Sequence, residues 1–208
     1  MNPVAVVFDL GNVVVRFDPE RARLPISARS RRTDFEPEFV DLKIRYESGQ
    51  LGSAEFAKSA IELLDFAGTP TEFLEYWDGI FLPNSPMEQL VAQLDLPVYL
   101  LSNTSISHLT RIRRDFPILK RFINGVYSFE VGLLKPDPAI FHLTRERFDL
   151  VGQRVVYVDD LSPNVAAAAT CGFEAYQYDF RRHDEFVANM PWLGVRAGLR
   201  TDEVDRMN

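Results

Sequence analysis

Val4-Ala5-Val6-Val7-Phe8-Asp9-Leu10-Gly11-Asn12-Val13 is the stretch on which the fold turns. Five apolar residues in succession run straight into one carboxylate and a glycine-containing turn. A run this short, bounded by a turn signal, reads as a strand buried on both faces, and its end presents Asp9 as a nucleophile. A second run, Val155-Val156-Tyr157-Val158, ends on Asp159-Asp160, and Ser162-Pro163-Asn164 then opens an alanine-rich helical segment. Carboxylates gathered at the C-terminal ends of neighbouring parallel strands repel one another. A raised pKa or a bound hard cation relieves that repulsion, and the cation is the expected remedy here.

Working outward, four β-type runs recur: Val4 to Asp9, Val98 to Ser102, Val155 to Asp159 and Glu174 to Tyr178, with helical patterns between them. Alternation of apolar strands with helices predicts a three-layer, Rossmann-like α/β fold, a parallel sheet covered on both faces. Met87, Leu90, Val91 and Leu94 keep the spacing of an amphipathic helix feeding the second strand. Ser162 is placed as an N-cap, Pro163 at N1 and Gly172 just past the helix end.

Nearly ninety residues separate the first two strands, far more than one crossover helix requires. Phe39, Leu42 and Tyr46 share one helix face, which Ser48-Gly49 and Gly52-Ser53 interrupt. Phe56, Ala60, Ile61 and Leu64 mark a second helix, and Phe73, Tyr76, Trp77, Ile80 and Phe81 a third. Asn84 to Pro86 reads as the return linker. These signals predict a small helical cap at 18–83, inserted after the first strand of a core made of 1–17 and 84–208, and lying over the sheet's active edge.

With 208 residues the chain can bury a full core, and its formal net charge of -7 disfavours nucleic acid and anionic lipid as partners. Cys171 is the one cysteine, so no internal disulfide forms, and the opening apolar run is too short for a signal or a membrane span. A cytoplasmic protein is expected. Oligomeric state is open, as is the stretch after Met190, which is either a packed extension or a loose tail.

Four separated elements then line up: Asp9, the strand-end Ser102-Asn103-Thr104, Lys135 within Gly132-Leu133-Leu134-Lys135-Pro136-Asp137-Pro138, and Asp159-Asp160. This order resembles the haloacid dehalogenase superfamily from Val4 to about Tyr178, in the form with a helical insert that includes bacterial α-D-glucose-1-phosphate phosphatases. The resemblance implies that Asp9 attacks phosphorus and forms an aspartyl-phosphate, and that Mg2+ is held by Asp9, the Gly11 carbonyl and Asp160. It further implies Asp159 and Asn164 as supports of the metal's surroundings, with Ser102, Asn103 and Lys135 on the phosphoryl oxygens. The implied substrate is a small phosphorylated metabolite, a sugar phosphate first.

One position departs from the pattern. Most phosphatases of that superfamily carry a general acid two residues after the nucleophile, where this chain has Gly11. A missing acid hurts poor leaving groups most, so a substrate with an acidic leaving oxygen, such as an anomeric phosphate, fits better than a primary-alcohol phosphate. Other remedies are an acid from the cap or from water, Arg45, Tyr46 and Glu47 being the candidates there. A 2-haloacid dehalogenase and an impaired binding or regulatory protein are the competing readings. The former needs no metal, which the paired acids argue against. The latter is disfavoured because Asp9, Lys135 and both metal-side acids are present, and a phosphomutase would particularly need the missing acid. His108, His142 and His183 lack metal-ligand spacing and read as structural, the Phe73 to Phe81 stripe as cap core, and Arg29-Ser30-Arg31-Arg32 as a solvated face.

Overall fold

The computed structural model of the protein describes residues 3–32 and 36–190. Strands β1 (Ala5–Phe8), β2 (Val15–Phe17), β3 (Phe81–Pro83), β4 (Val98–Ser102), β5 (Asn124–Tyr127), β6 (Val155–Asp159) and β7 (Glu174–Gln177) form two sheets. The larger is parallel throughout, in the order β5-β4-β1-β6-β7, so β1 lies at its centre between β4 and β6. Phe8 is in register with Leu100 and Val158, and this brings Asp9, Ser102 and Asp159 to the same edge.

Alternation within the strands sends side chains to two apolar layers. Val6, Phe8, Val98, Leu100, Val156 and Val158 pack on one face, and Ala5, Val7, Leu101, Val155 and Tyr157 on the other. Helices α5 (Ser85–Gln93), α6 (Ile106–Asp115) and α10 (His183–Ala188) cover the first face through Met87, Leu90, Leu109, Ile112 and Phe186. Helices α8 (Pro138–Arg147) and α9 (Ser162–Thr170) cover the second through Ile140, Phe141 and Ala168, and the single turn α7 (Ser128–Val131) follows β5. This is the expected three-layer arrangement.

Between β2 and β3 run α1 (Glu20–Ala28), α2 (Glu36–Glu47), α3 (Ser53–Leu64) and α4 (Pro70–Asp78). They have an apolar core of their own, built on Leu42, Tyr46, Phe56, Leu64, Phe73 and Trp77, with Tyr46 and Phe56 stacked at 4.2 Å. Thr69 and Glu72 cap α4 reciprocally. The strands β2 and β3 pair antiparallel at the root of the insert, Phe17 opposite Phe81.

The insert is fastened to the α/β layers at several points. Tyr46 Oη donates to Ser107 Oγ at 2.8 Å, Ser107 Oγ donates to Asp78 Oδ1 at 2.7 Å, and Ser128 Oγ donates to the Glu47 carbonyl at 2.6 Å. Gly49 sits at φ +76°, and a Cβ there would lie 2.1 Å from the Phe129 carbonyl oxygen. Both the turn and the close approach therefore require glycine.

Several local expectations are corrected. The helix expected to run on to Phe81 is α4 and stops at Asp78, where Gly79 ends it, and Phe81 already belongs to β3. The return linker shrinks to Asn84, since Ser85 already opens α5, and the buried Asn84 amide donates to the Val13 carbonyl at 2.6 Å. Leu161, not Ser162, occupies the N-cap of α9 and makes no side-chain cap. Gly172, at φ +82°, follows the helix end as expected. Arg31 and Arg32 are exposed as expected, whereas Arg29 is only partly so: it lies over the Phe66 ring and donates to Glu72 and the Ala67 carbonyl. Among the described residues no helix is long and apolar enough to cross a membrane. The stretch after Met190 lies outside the described residues.

Candidate active site

Asp9 leaves β1 at the middle of the sheet, its N–H donating to the Val158 carbonyl at 2.8 Å. Only 7% of the residue is exposed. The turn that follows is tight: Val14 and Val15 both donate to the Leu10 carbonyl, and Asn12 takes a left-handed φ of 54°. Asp9, Asp159 and Asp160 offer carboxylate oxygens that all lie within 4.8 Å of one another.

Lys135 enters from the loop before α8 and is 6% exposed. Its ammonium lies 2.8 Å from Asp9 Oδ1 and 2.7 Å from Asp159 Oδ2, and also donates to the Leu101 carbonyl at 3.0 Å and to Tyr157 Oη at 3.1 Å. Burial works against the charged amine, but the charges of Asp9 and Asp159 prevail and raise its pKa. Asn103 holds this loop. Its Nδ2 donates to the Lys135 carbonyl at 2.9 Å and its Oδ1 accepts the Lys135 N–H at 2.8 Å.

Asp159 is fully buried and its carboxylate is saturated. Besides Lys135 it accepts from Tyr157 Oη, from the Leu161 N–H at 2.9 Å and from Asn164 Nδ2 at 3.0 and 3.1 Å. Burial pushes its pKa up, yet Lys135 and the hydrogen bonds hold it below the ordinary carboxylate value. Asp160 is half-buried, its carboxylate accepting from Asn12 Nδ2 at 3.2 Å and its carbonyl from Gln177 Nε2 at 2.9 Å. Burial and its like-charged neighbours push Asp9 to about 7 and Asp160 upward, against the pull of Lys135.

The balance of charge decides what this arrangement can hold. Three carboxylates face one ammonium, and the acid most fully neutralised, Asp159, has no lone pair left to give. Asp9 and Asp160 keep free oxygen atoms in a set containing neither His nor Cys. Such hard oxygen donors fit a hard divalent cation.

The eight residues singled out in the sequence thus fall into two groups. Asp9, Asp159, Asp160, Lys135 and Asn164 converge, though Asn164 reaches Asp159 and not Asp160, and Gly11 lies in the turn two residues after Asp9. Ser102 lies buried at the end of β4, and the side chain of Asn103 is engaged with the Lys135 backbone as a bracket, which leaves its backbone N–H as the donor the sequence reading also allowed. Asn12 and Tyr157 were missed. Tyr157 reads as one more apolar strand residue although it donates to Asp159 two positions on and accepts from Lys135, and Asn12 reads as part of a turn because its partner Asp160 lies far along the chain. Tyr46 is buried on Phe56 and bonded to Ser53 and Ser107, while Glu47 pairs with Lys43. His108 stacks on Trp77 and its Nε2 lies 3.2 Å from the Trp77 carbonyl, with burial lowering its pKa to about 4.

A family model described as haloacid dehalogenase-like hydrolase matches residues 4–172. The D-ribitol-5-phosphate phosphatase of Bacteroides thetaiotaomicron is 27% identical over 187 residues, which span 83% of this chain and 90% of that protein. A haloacid dehalogenase family enzyme of the same organism, solved in complex with magnesium and inorganic phosphate, superposes with a TM-score of 0.74 at 23% identity, over 83% of this chain and 92% of that one. L-2-haloacid dehalogenase from Xanthobacter autotrophicus, with chloropropionic acid covalently bound, superposes with a TM-score of 0.62 at 17% identity, over 94% of this chain and 87% of that one. At these identities the two structures show a shared fold.

Proposed function

This chain belongs to the haloacid dehalogenase-like hydrolases, and from that premise we propose that it is a Mg2+-dependent phosphatase of a small phosphomonoester, a sugar phosphate first, working through an aspartyl-phosphate on Asp9. The observation that carries the proposal is the excess of carboxylate over ammonium: one Lys135 is shared by Asp9 and Asp159, and Asp160 stands beside them without a cation of its own among the described residues. A dehalogenase needs no cation beside its nucleophile, and a third acid there would only repel it.

In this reading Asp9 Oδ attacks phosphorus, and the leaving oxygen departs with the electron pair of its bond. Water then attacks the same phosphorus and returns Asp9 as carboxylate. Lys135 holds Asp9 ionised and oriented while presenting positive charge to the phosphoryl oxygens, and the Ser102 hydroxyl is available to them. Asp9, the Gly11 carbonyl and Asp160 would hold Mg2+, which neutralises phosphoryl charge when bound. Asp159 acts through Lys135, fixing the ammonium where both carboxylates meet it. The helices at 18–83 serve as a cap that limits substrate size and excludes bulk water.

The polyol phosphate in the name of the Bacteroides relative supports a small phosphorylated substrate, and the cytoplasm as the compartment that holds one. Phosphate release from a panel of sugar, polyol and aryl phosphates, with Mg2+ or with chelator, tests the proposal. Mg2+-dependent release is expected. Release of chloride from a 2-haloacid in the presence of chelator, with no ester hydrolysed, would replace it with the dehalogenase reading.

Metal binding is separable from turnover. Mg2+ at about a hundred times its Kd should stabilise the fold by about 2.7 kcal/mol, a rise of roughly 5–10 °C in Tm for a chain this size. Because protons compete for Asp9, whose pKa is raised to about 7, the rise should be greater at pH 8 than at pH 5. Thermal melts at the two pH values check this, and an equal shift at both would take Asp9 out of the metal site.

A further inference from the structure

The turn Asp9–Val13 is joined to the hairpin of β2 and β3 by one side chain. Asn12 Nδ2 donates to Asp160 Oδ2 at 3.2 Å, and Asn12 Oδ1 accepts the N–H of Phe17 at 3.3 Å. One side chain thus ties the Phe17 backbone to Asp160. A Cβ built on Gly11 would meet two carbons of that ring, Cδ1 and Cε1, both at 3.3 Å. The ring thus takes the space into which a side chain at position 11 would grow. Phe17 is nevertheless 39% exposed, so it presents open aromatic surface next to Gly11, two residues after the nucleophile.

Among the described residues, the ammonium and the phenol grouped with Asp9 and Asp159 are already engaged. Lys135 is held by Asp9 and Asp159, and the Tyr157 hydroxyl donates to Asp159. At the rim of the insert, Asp18 accepts the Glu20 N–H, Glu47 pairs with Lys43, and Asp78 accepts from Ser107 with His108 Nε2 3.5 Å away. Asn12 has no proton to lose at ordinary pH.

We propose that Phe17 sets the leaving group: its open face is the wall against which that group packs, and the site takes phosphate esters of weakly basic oxygens, phenols and hemiacetals, in preference to esters of primary alcohols. This rests on the phosphatase reading above. In the first step the P–O bond to the leaving group breaks as the Asp9 Oδ–P bond forms, and the leaving oxygen departs as its anion with the bonding pair, taking its proton from solvent. A phenol, near pKa 10 like a tyrosine side chain, tolerates that departure far better than an alcohol, whose basicity approaches that of hydroxide at about 15.7.

The experiment compares kcat/KM for an aryl phosphate, p-nitrophenyl phosphate, and a primary-alkyl phosphate, glycerol 1-phosphate, in wild type, Phe17→Ala, Gly11→Asp and the double variant, all with Mg2+. Wild type should favour the aryl ester by more than about 10²-fold, the low end of what a positioned acid supplies. Phe17→Ala should raise KM several-fold for the aryl ester alone, with Phe17→Leu as the substitute should the alanine variant fail to fold. Gly11→Asp alone should bring no gain on the alkyl ester, and the double variant should gain on it by about tenfold or more. Comparable wild-type turnover of both esters, or an alkyl gain from Gly11→Asp alone, would overturn the role of Phe17 while leaving a phosphatase. Mg2+-dependent release from neither ester nor the wider sugar-phosphate panel would overturn the phosphatase reading and this inference with it.

Discussion

Asp9→Asn should leave a folded protein whose phosphate release is down by about 10⁴-fold or more, the scale on which removal of a covalent nucleophile is felt. The substitution is isosteric. The backbone bond from Asp9 N–H to the Val158 carbonyl is untouched, and the amide oxygen can still face Lys135 Nζ, now 2.8 Å from Oδ1. What disappears is the charge, and the charge has a folding cost in the metal-free protein. Burial raises Asp9 from 3.8 to about 7, so between those values the folded state holds a proton that the unfolded chain has released. The wild-type carboxyl therefore contributes stability below about pH 4 that is lost as pH rises through 7. The asparagine variant carries no such titration. Without metal it should be more stable than wild type at pH 8 by up to a few kcal/mol, and the advantage should fade toward pH 4. Activity assays beside denaturant melts at the two pH values separate these effects. Retention of more than about a hundredth of the turnover would exclude Asp9 as nucleophile, however the stability behaves.

The residues that made this site readable are those whose role is written in their own strand. β1, β4 and β6 are continuous apolar runs because they are buried on both faces, and each ends in the polar residue it delivers. The edge strand Asn124–Tyr127 gave no such signal, having a glycine and an asparagine among four residues. Strands β2 and β3 are three residues long and exist through each other, Val15 to Pro83 and Phe17 to Phe81, across the whole insert. Pro25 hid α1, inside which it sits.

Side-chain roles divide the same way. Carboxylates at strand ends announce themselves by mutual repulsion, whereas Tyr157 and Asn12 acquire a function only when Lys135 and Asp160 arrive from elsewhere in the chain. Asn103 is the instructive case. Its place after β4 made it a phosphate ligand on paper, but a second loop reaches it first, and its amide closes two hydrogen bonds on the Lys135 backbone. Sequence order locates the strand ends, and the loops that meet there decide which donors remain free.

Lys135→Met should be the most destabilising single change at this site, by about 3–5 kcal/mol near neutral pH, as expected when one partner is removed from a buried ion network. The ammonium is buried among Asp9, Asp159, the Leu101 carbonyl and Tyr157 Oη, at 2.7 to 3.1 Å from each. Methionine fills much of the volume but leaves two carboxylates facing each other without a cation. Asp159, held below its ordinary pKa against burial by Lys135 and by hydrogen bonds from Tyr157 and Leu161, would then lose the largest of those supports and be raised by burial. The sign follows: wild-type Asp159, its pKa lowered, contributes stability that is present above the unfolded carboxylate pKa, and the variant forfeits the Lys135 share of it there. The gap between the two proteins should thus widen from about pH 4 upward and narrow when the acids are protonated. Arginine should not rescue, because its planar fork cannot enter a cage shaped for one compact ammonium with short bonds in several directions. Denaturant melts of wild type, Lys135→Met and Lys135→Arg across pH 4 to 8 read this directly. A pH-independent gap would mean that packing, and not charge, is what Lys135 contributes. A stable, active arginine variant would show that the position needs only a positive charge, without the four-way placement on which the proposed chemistry of Asp9 depends.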